Sequence, residues 1–283
     1  MRKIIFPRIF AASTFLLALI IGSTIAHSQA FIGANGSLLA PEMQRIQERG
    51  TLRVAVYATD REPFFYVKDG ELVGTDIDLA RNLAEELGVE LEISRNGESF
   101  DLVVDEVALG KVDLAISKVS RTIKRSQRVA FSDPYHTFRQ AVILNRVELA
   151  KIIDGRELGD FLRAYDGTLG VLANSSYAVS GRENFKLAEI VTYDDQTDLV
   201  NAVIAGDITA AYSDEFEVRK VMAKDPSLSL LLRPVGLDDL IGTIGIVVAV
   251  ENTALLSFVN LFLEQKHEFL STEDLLRIVA ASR

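Results

Sequence analysis

Apolar residues fall in short runs alternating with amphipathic stretches. Leu52 to Tyr57, opened by Gly50-Thr51, is an almost unbroken apolar run and predicts a core strand. After a polar loop, Ala58 to Glu62, come Pro63-Phe64-Phe65-Tyr66 and the hairpin turn signal Lys68-Asp69-Gly70-Glu71. Thr75 to Gly88 reads as a helix. Ile77, Leu79, Leu83 and Leu87 form its stripe, Thr75 is placed to cap it, Asp76 and Asp78 favour its positive end, and Gly88 stops it. Val89 to Ser94 predicts a strand, Phe100 to Leu109 a helix ending at Gly110, and Val112 to Ile116 a buried strand. A polar bend follows (Ser117 to Thr122), then a basic turn (Ile123 to Arg128), then Phe131-Ser132-Asp133-Pro134-Tyr135.

A related order recurs downstream. Gly167 to Leu172, Ile190 to Tyr193 and Ile208 to Tyr212 read as strands, and Ser176 to Asn184 and Asp195 to Ala205 as helices, the second ending at Gly206. DLVVDEVALGKVDLAIS and DLVNAVIAGDITAAYSD share the order helix, glycine, strand, polar edge. Beyond Arg233, Gly242 to Val250 predicts a strand. Thr253 to Gln265 predicts a helix whose Leu255, Leu256, Val259 and Phe262 face a core. Alternating strands and helices imply parallel sheet with helical cover, here in two related lobes. Crossings between the lobes are expected near Leu144-Asn145 and Arg233-Pro234-Val235. The division is then 1–30 targeting segment, 31–49 linker and N-terminal helix, 50–144 with 233–283 as lobe 1, and 145–232 as lobe 2.

The first thirty residues change the cellular picture. Arg2, Lys3 and Arg8 precede an apolar run, Ile9 to Gly22, and a small polar stretch, Ser23 to Ala30. This is the pattern of a cleavable signal peptide. The other reading, a membrane anchor, needs roughly 20 apolar residues. The chain has no Cys, so an exported body must be held by its core rather than by disulfides. Removing a segment with three cations and no acids takes the net charge from −10 to −13. So acidic a body is a poor nucleic-acid ligand, since that affinity rests on phosphate neutralisation.

Candidate chemistry sits at strand ends. In open α/β sheets ligands lie at the carboxyl edge, where Ser117, Lys118 and Ser120 emerge and Arg125 can return. Hydroxyls, backbone N–H groups and a guanidinium fork match a carboxylate. A solvated basic turn is the plain alternative. No thiol nucleophile, nucleophile elbow, zinc motif or dinucleotide loop is present, and only His27, His136 and His267 occur. No cofactor or metal is expected.

The motifs GTLRVAV, PFFYVKDGELVGTDIDLARNLAEELGV, LGKVDLAIS, SRTIKRSQRVAFSDPY, DGTLGVLANSS and AAYSDEF occur in this order. Together they resemble the periplasmic solute-binding proteins of family 3, which serve polar amino-acid ABC importers. The resemblance implies a type II periplasmic binding protein: an α/β fold of two lobes, a two-strand hinge and a ligand cleft between them. It implies a non-catalytic periplasmic receptor, expected to be monomeric, that delivers an amino acid or close analogue to a membrane ABC permease. By position, Ser120 and Arg125 would hold the ligand α-carboxylate, with a backbone N–H near Lys118. Asp214 would receive the α-ammonium, Ser176 would add a lobe 2 contact, and Phe100 would lie against the ligand. Each has a plainer alternative: Asp214 as a turn or cap residue, Phe100 as core, Arg61 and Lys118 as surface cations. Ala58 and Arg61 depart from the family's polar and aromatic loop positions. A stacking ring is then missing unless Tyr57 or Phe64 supplies it, and Arg61 would meet a side-chain anion instead. The alternatives on this scaffold are a periplasmic dehydratase using Glu62 or Asp60 as a cleft acid, and a ligand-sensing module.

Overall fold

A computed structural model describes residues 31–32 and 38–282. The expected signal peptide lies outside the described residues. In chain order the elements are β1 (Phe31–Ile32), β2 (Leu38–Leu39), α1 (Pro41–Arg49), β3 (Thr51–Tyr57), β4 (Tyr66–Lys68), β5 (Glu71–Val73), α2 (Thr75–Leu87), β6 (Glu90–Gly97), α3 (Phe100–Ala108), β7 (Leu114–Ala115), β8 (Ala130–Asn145), α4 (Arg146–Ile152), α5 (Leu158–Arg163), β9 (Thr168–Leu172), α6 (Ser176–Asn184), β10 (Glu189–Tyr193), α7 (Gln196–Ala205), β11 (Ala210–Asp214), α8 (Glu215–Lys224), β12 (Leu232–Val248), α9 (Thr253–Lys266) and α10 (Thr272–Ala281). Among the described residues, no helix is long and apolar enough to cross a membrane.

One sheet of eight strands runs through both lobes in the order β10-β9-β11-β8-β12-β7-β3-β6. Its ends are parallel, β3 beside β6 and β7, and β9 beside β10 and β11. The centre is the antiparallel pair β8 and β12, in register from Ala130↔Val248 to Asn145↔Leu232. That pair carries the chain out of one lobe and back into it. The core changes along it. Tyr135 and Phe138 pack with Leu52, Val54, Leu83, Val103 and Val259 in the first core. From Ala141 onward β8 alternates: Val142 and Leu144 enter a core with Phe161, Val171 and Tyr212, while Ala141 and Ile143 enter one with Leu199, Val203 and Val218. Period-two alternation puts successive side chains on opposite faces, so both faces of this half are covered. The ladder of β12 is irregular between Leu237 and Ile241.

Helix α2 is not capped by Thr75. Its N-cap is Gly74 at φ 129°, and the Thr75 hydroxyl is buried without a hydrogen-bond partner. The N–H groups of Thr75 and Asp76 instead donate to the carbonyls of Pro63 and Phe64, both at 2.9 Å. The aromatic loop supplies the acceptors that a side-chain cap would provide. A Cβ at Gly74 would lie 2.3 Å from the Phe64 oxygen, so this close approach needs glycine. Helix α10 has no counterpart among the expected elements. Its signal was a capping box, Ser271 with Asp274.

Candidate functional site

The edge residues converge because three elements end at one place. Strand β7 stops at Ala115, and the following bend puts Lys118 at φ 48°, a left-handed conformation uncommon for a lysine. The Lys118 N–H is committed to structure: it donates to Asp76 Oδ2 at 2.7 Å and to the Tyr135 hydroxyl at 3.0 Å. The N–H of Lys118 itself is therefore engaged within the chain. Ser120 forms a bridge to Ile244 on β12. Arg125 opens a single helical turn and is 4% exposed; its Nε donates to Asp101 at 2.9 Å and its Nη1 to the Ser120 carbonyl at 3.1 Å. Nη2 makes no hydrogen bond among the described residues.

From the other lobe, Ser175 caps α6, and Ser176 beside it donates to the Ser120 hydroxyl at 2.9 Å across the gap. Asp214 ends β11 and caps α8: its Oδ1 accepts the Glu217 N–H at 2.9 Å. Its plain reading as a cap is thus correct, but Oδ2 does something more. It accepts the Tyr177 hydroxyl at 2.9 Å and the Lys118 ammonium at 3.0 Å. The same ammonium donates to Glu217 at 2.7 Å and lies 4.8, 5.2 and 5.3 Å from the ring centres of Phe64, Phe216 and Phe138. Lys220 adds a second cation beside Glu217 at 2.7 Å.

The electrostatics of this cluster are those of a paired buried ion set. Burial alone would raise the Glu217 pKa, but Lys118, Lys220 and Arg61 outweigh it and hold the carboxyl well below its usual range. Burial likewise would lower Lys118; Asp214 and Glu217 reverse that and raise it. Asp76 lacks such compensation. Burial, opposed by the Lys118 N–H and the Tyr135 hydroxyl, raises its pKa to about 7.

A cleft lies between these groups, bordered by Arg61, Phe100, Lys118, Ser120, Arg125, Ser176 and Asp214 together. All seven sequence candidates thus meet at one cavity. Glu217, Tyr177 and Gln196 also border it and were not singled out from sequence. The D-x-x-E spacing of Asp214 and Glu217 was the signal for the first. Arg61 is 8% exposed, its Nε has no partner, and its guanidinium makes no ion pair among the described residues. Phe100 stacks on Tyr57 at 4.8 Å. Neither Tyr57 nor Phe64 borders the cleft, so neither supplies the missing stacking ring. Glu62 pairs with Lys224 at 2.9 Å and Asp60 with Arg95 at 2.8 Å, and neither borders the cavity.

Known proteins share parts of this sequence and its fold. The histidine-binding periplasmic protein of Escherichia coli K12 is 31% identical over 159 residues, 56% of this chain and 58% of that protein. The chain therefore matches little more than half the length of that relative. A cyclohexadienyl dehydratase of Pseudomonas aeruginosa is 28% identical over 202 residues, covering 69% of this chain and 71% of the relative. Relatives thus include a binding protein and an enzyme. In structure, the chain is similar to an amino acid ABC transporter substrate-binding protein of Streptococcus pneumoniae bound to L-arginine. The TM-score is 0.64 at 26% identity, over 84% of this chain and 96% of that one. The fold is that of a type II periplasmic binding protein. Residues 52–270 match the family description throughout, and the chain belongs to the bacterial extracellular solute-binding proteins, family 3.

Proposed function

We propose that this chain is a periplasmic receptor that closes two lobes on an amino acid or close analogue and presents it to a membrane ABC permease. One observation carries the reading: a single cleft is bordered from one lobe by Arg61, Phe100, Lys118, Ser120 and Arg125, and from the other by Ser176 and Asp214. Groups split in this way bind a ligand best in the closed form, so the ligand shifts the population toward closure. Arg125 and Ser120 hold the carboxylate, Ser176 adds a hydroxyl, and Phe100 gives an apolar wall. The receptor acts as a monomer, without cofactor and without nucleic acid, after export through its signal peptide. The lobes flex about β8 and β12, where the core changes hands between Phe138 and Ala141 and the β12 ladder is irregular from Leu237 to Ile241.

Catalysis is the weaker reading. The acids considered for a dehydratase, Glu62 and Asp60, are ion-paired outside the cleft. Glu217, which borders it, is held deprotonated between cations and is a poor proton donor. The test is a thermal-shift screen of the exported protein against the twenty amino acids and their close analogues, followed by calorimetry on every hit. Binding raises the melting temperature by mass action. A flat response to every small acid and amino acid would overturn the receptor reading, and turnover of prephenate or arogenate would replace it with the enzyme.

A further inference from the structure

The position that should receive a ligand ammonium is already filled by the chain itself. Asp214 Oδ2 and Glu217 Oε1 take the Lys118 ammonium at 3.0 and 2.7 Å, and Phe64, Phe138 and Phe216 wall it on three sides. Carboxylates with aromatic faces are what an alkylammonium prefers. Lys118 cannot readily vacate this box, because its own N–H is fixed by Asp76 and Tyr135. An incoming ammonium would have to share Asp214 with a cation already seated there. The rest of the cleft has the opposite want. Arg61 is 8% exposed and, although the field of Glu217 reaches it, makes no salt bridge among the described residues; Arg125 is 4% exposed and among those residues has the partly exposed Asp101 as its one salt-bridge partner. A buried guanidinium whose fork is not filled by a direct anion contact is costly, and a ligand carboxylate removes that cost. Three cations and two carboxylates border the cavity, and the two carboxylates are engaged by Lys118.

We infer that the ligand is a small dicarboxylic or 2-oxo dicarboxylic acid carrying no ammonium, one carboxylate at Arg125 and Ser120 and the other opposite Arg61. This inference rests on the receptor reading above and narrows its ligand class. Lys118 then does permanently what the α-ammonium of an amino acid would otherwise do. It closes the lobes by linking the bend after β7 to the N-terminus of α8.

Matched pairs test it. The exported protein is titrated by calorimetry with glutarate and 2-oxoglutarate against L-glutamate, and with succinate against L-aspartate. The deaminated member of a pair is expected to bind at least tenfold tighter. Arg61→Ala should weaken the dicarboxylates tenfold or more while leaving monocarboxylates, such as pyruvate, within about threefold. Lys118→Gly suits the left-handed backbone and opens the ammonium box, so it should shift preference toward the amino acid by tenfold or more. If that variant does not fold, the wild-type pairs decide alone. Equal or tighter binding of the amino acids overturns this inference and leaves the receptor reading standing. Binding of no acid of either kind overturns both.

Discussion

Replacing Asp76 with Asn asks whether one buried carboxyl under the ligand bend governs the pH dependence of folding. Asp76 is 1% exposed, and its Oδ1 has no hydrogen-bond partner among the described residues. Burial raises its pKa from 3.8 to about 7 despite two donors on Oδ2. A folded-state pKa above the unfolded one means that the protonated form is favoured by folding. The contribution is therefore complete below about pH 4 and is lost as pH rises through about 7. Each unit is about 1.4 kcal/mol, so the shift is worth on the order of 4 kcal/mol. His136 works in the other direction. Burial and the charges of His267 and Lys118 lower it from 6.5 to about 3, so its contribution is present above 6.5 and lost as pH falls. Between pH 4 and 6.5 the two slopes oppose each other, and the wild-type profile is expected to be shallow there. Asn cannot titrate, and His136 is common to both proteins. The difference between Asp76→Asn and wild type thus isolates the carboxyl. Urea denaturation at pH 4, 6 and 8 should show the variant gaining on wild type by about 3–4 kcal/mol from the lowest pH to the highest. Parallel stability curves would refute the assignment of a neutral, buried Asp76.

Arg125→Ala should weaken ligand binding by about 2 kcal/mol or more, roughly thirtyfold, because charge-assisted hydrogen bonds are lost in a desolvated cleft; unchanged calorimetric affinity would remove Arg125 from the site. Lys118→Met leaves Asp214 and Glu217 buried without their shared cation, which should cost about 3–5 kcal/mol and lower the melting temperature by on the order of 10 °C; a dichroism melt matching wild type would contradict this. Gly74→Ala places a Cβ 2.3 Å from the Phe64 carbonyl at φ 129°, so it should cost about 2 kcal/mol or more and split α2 from the aromatic loop, read as faster amide exchange at Asp76.

How much of this was written in the chain differs by element. Runs such as Leu52 to Tyr57 and the stripe of α2 were legible because each obeys one period and meets one core. That Ser120 and Arg125 border one cavity was legible because they are close in sequence and joined by a short turn. The acidic wall of the cleft was read only in part. Asp214 was found, but its partner Lys118 lies 96 residues away, and no local pattern announces that pairing. Lys118 itself looked like an ordinary surface cation, since a bend does not reveal that three distant phenylalanines will enclose it. Asp76 does lie in the first turn of α2 as expected, but its burial was not legible, for a related reason. Acids in a first helical turn usually face solvent, as Asp78 does with Arg81. Only the arrival of β8, carrying Tyr135, seals Asp76 from water. Thr75 failed as a cap because the acceptors came from a loop twelve residues earlier rather than from its own hydroxyl.

The placement of β12 between β8 and β7 has a bearing on when the first lobe can form. Its sheet needs Ile244 to Val248 from near the chain's end, and its core needs α9 and α10 after that. A polypeptide that crosses a membrane N-terminus first therefore delivers the whole of the other lobe before the first one can be completed. Until then β3, α2 and α3 expose apolar faces, and contacts that close a gap of more than a hundred residues are slow to form. In any chain exported unfolded, such an architecture delays compaction of the leading half until transit is nearly finished.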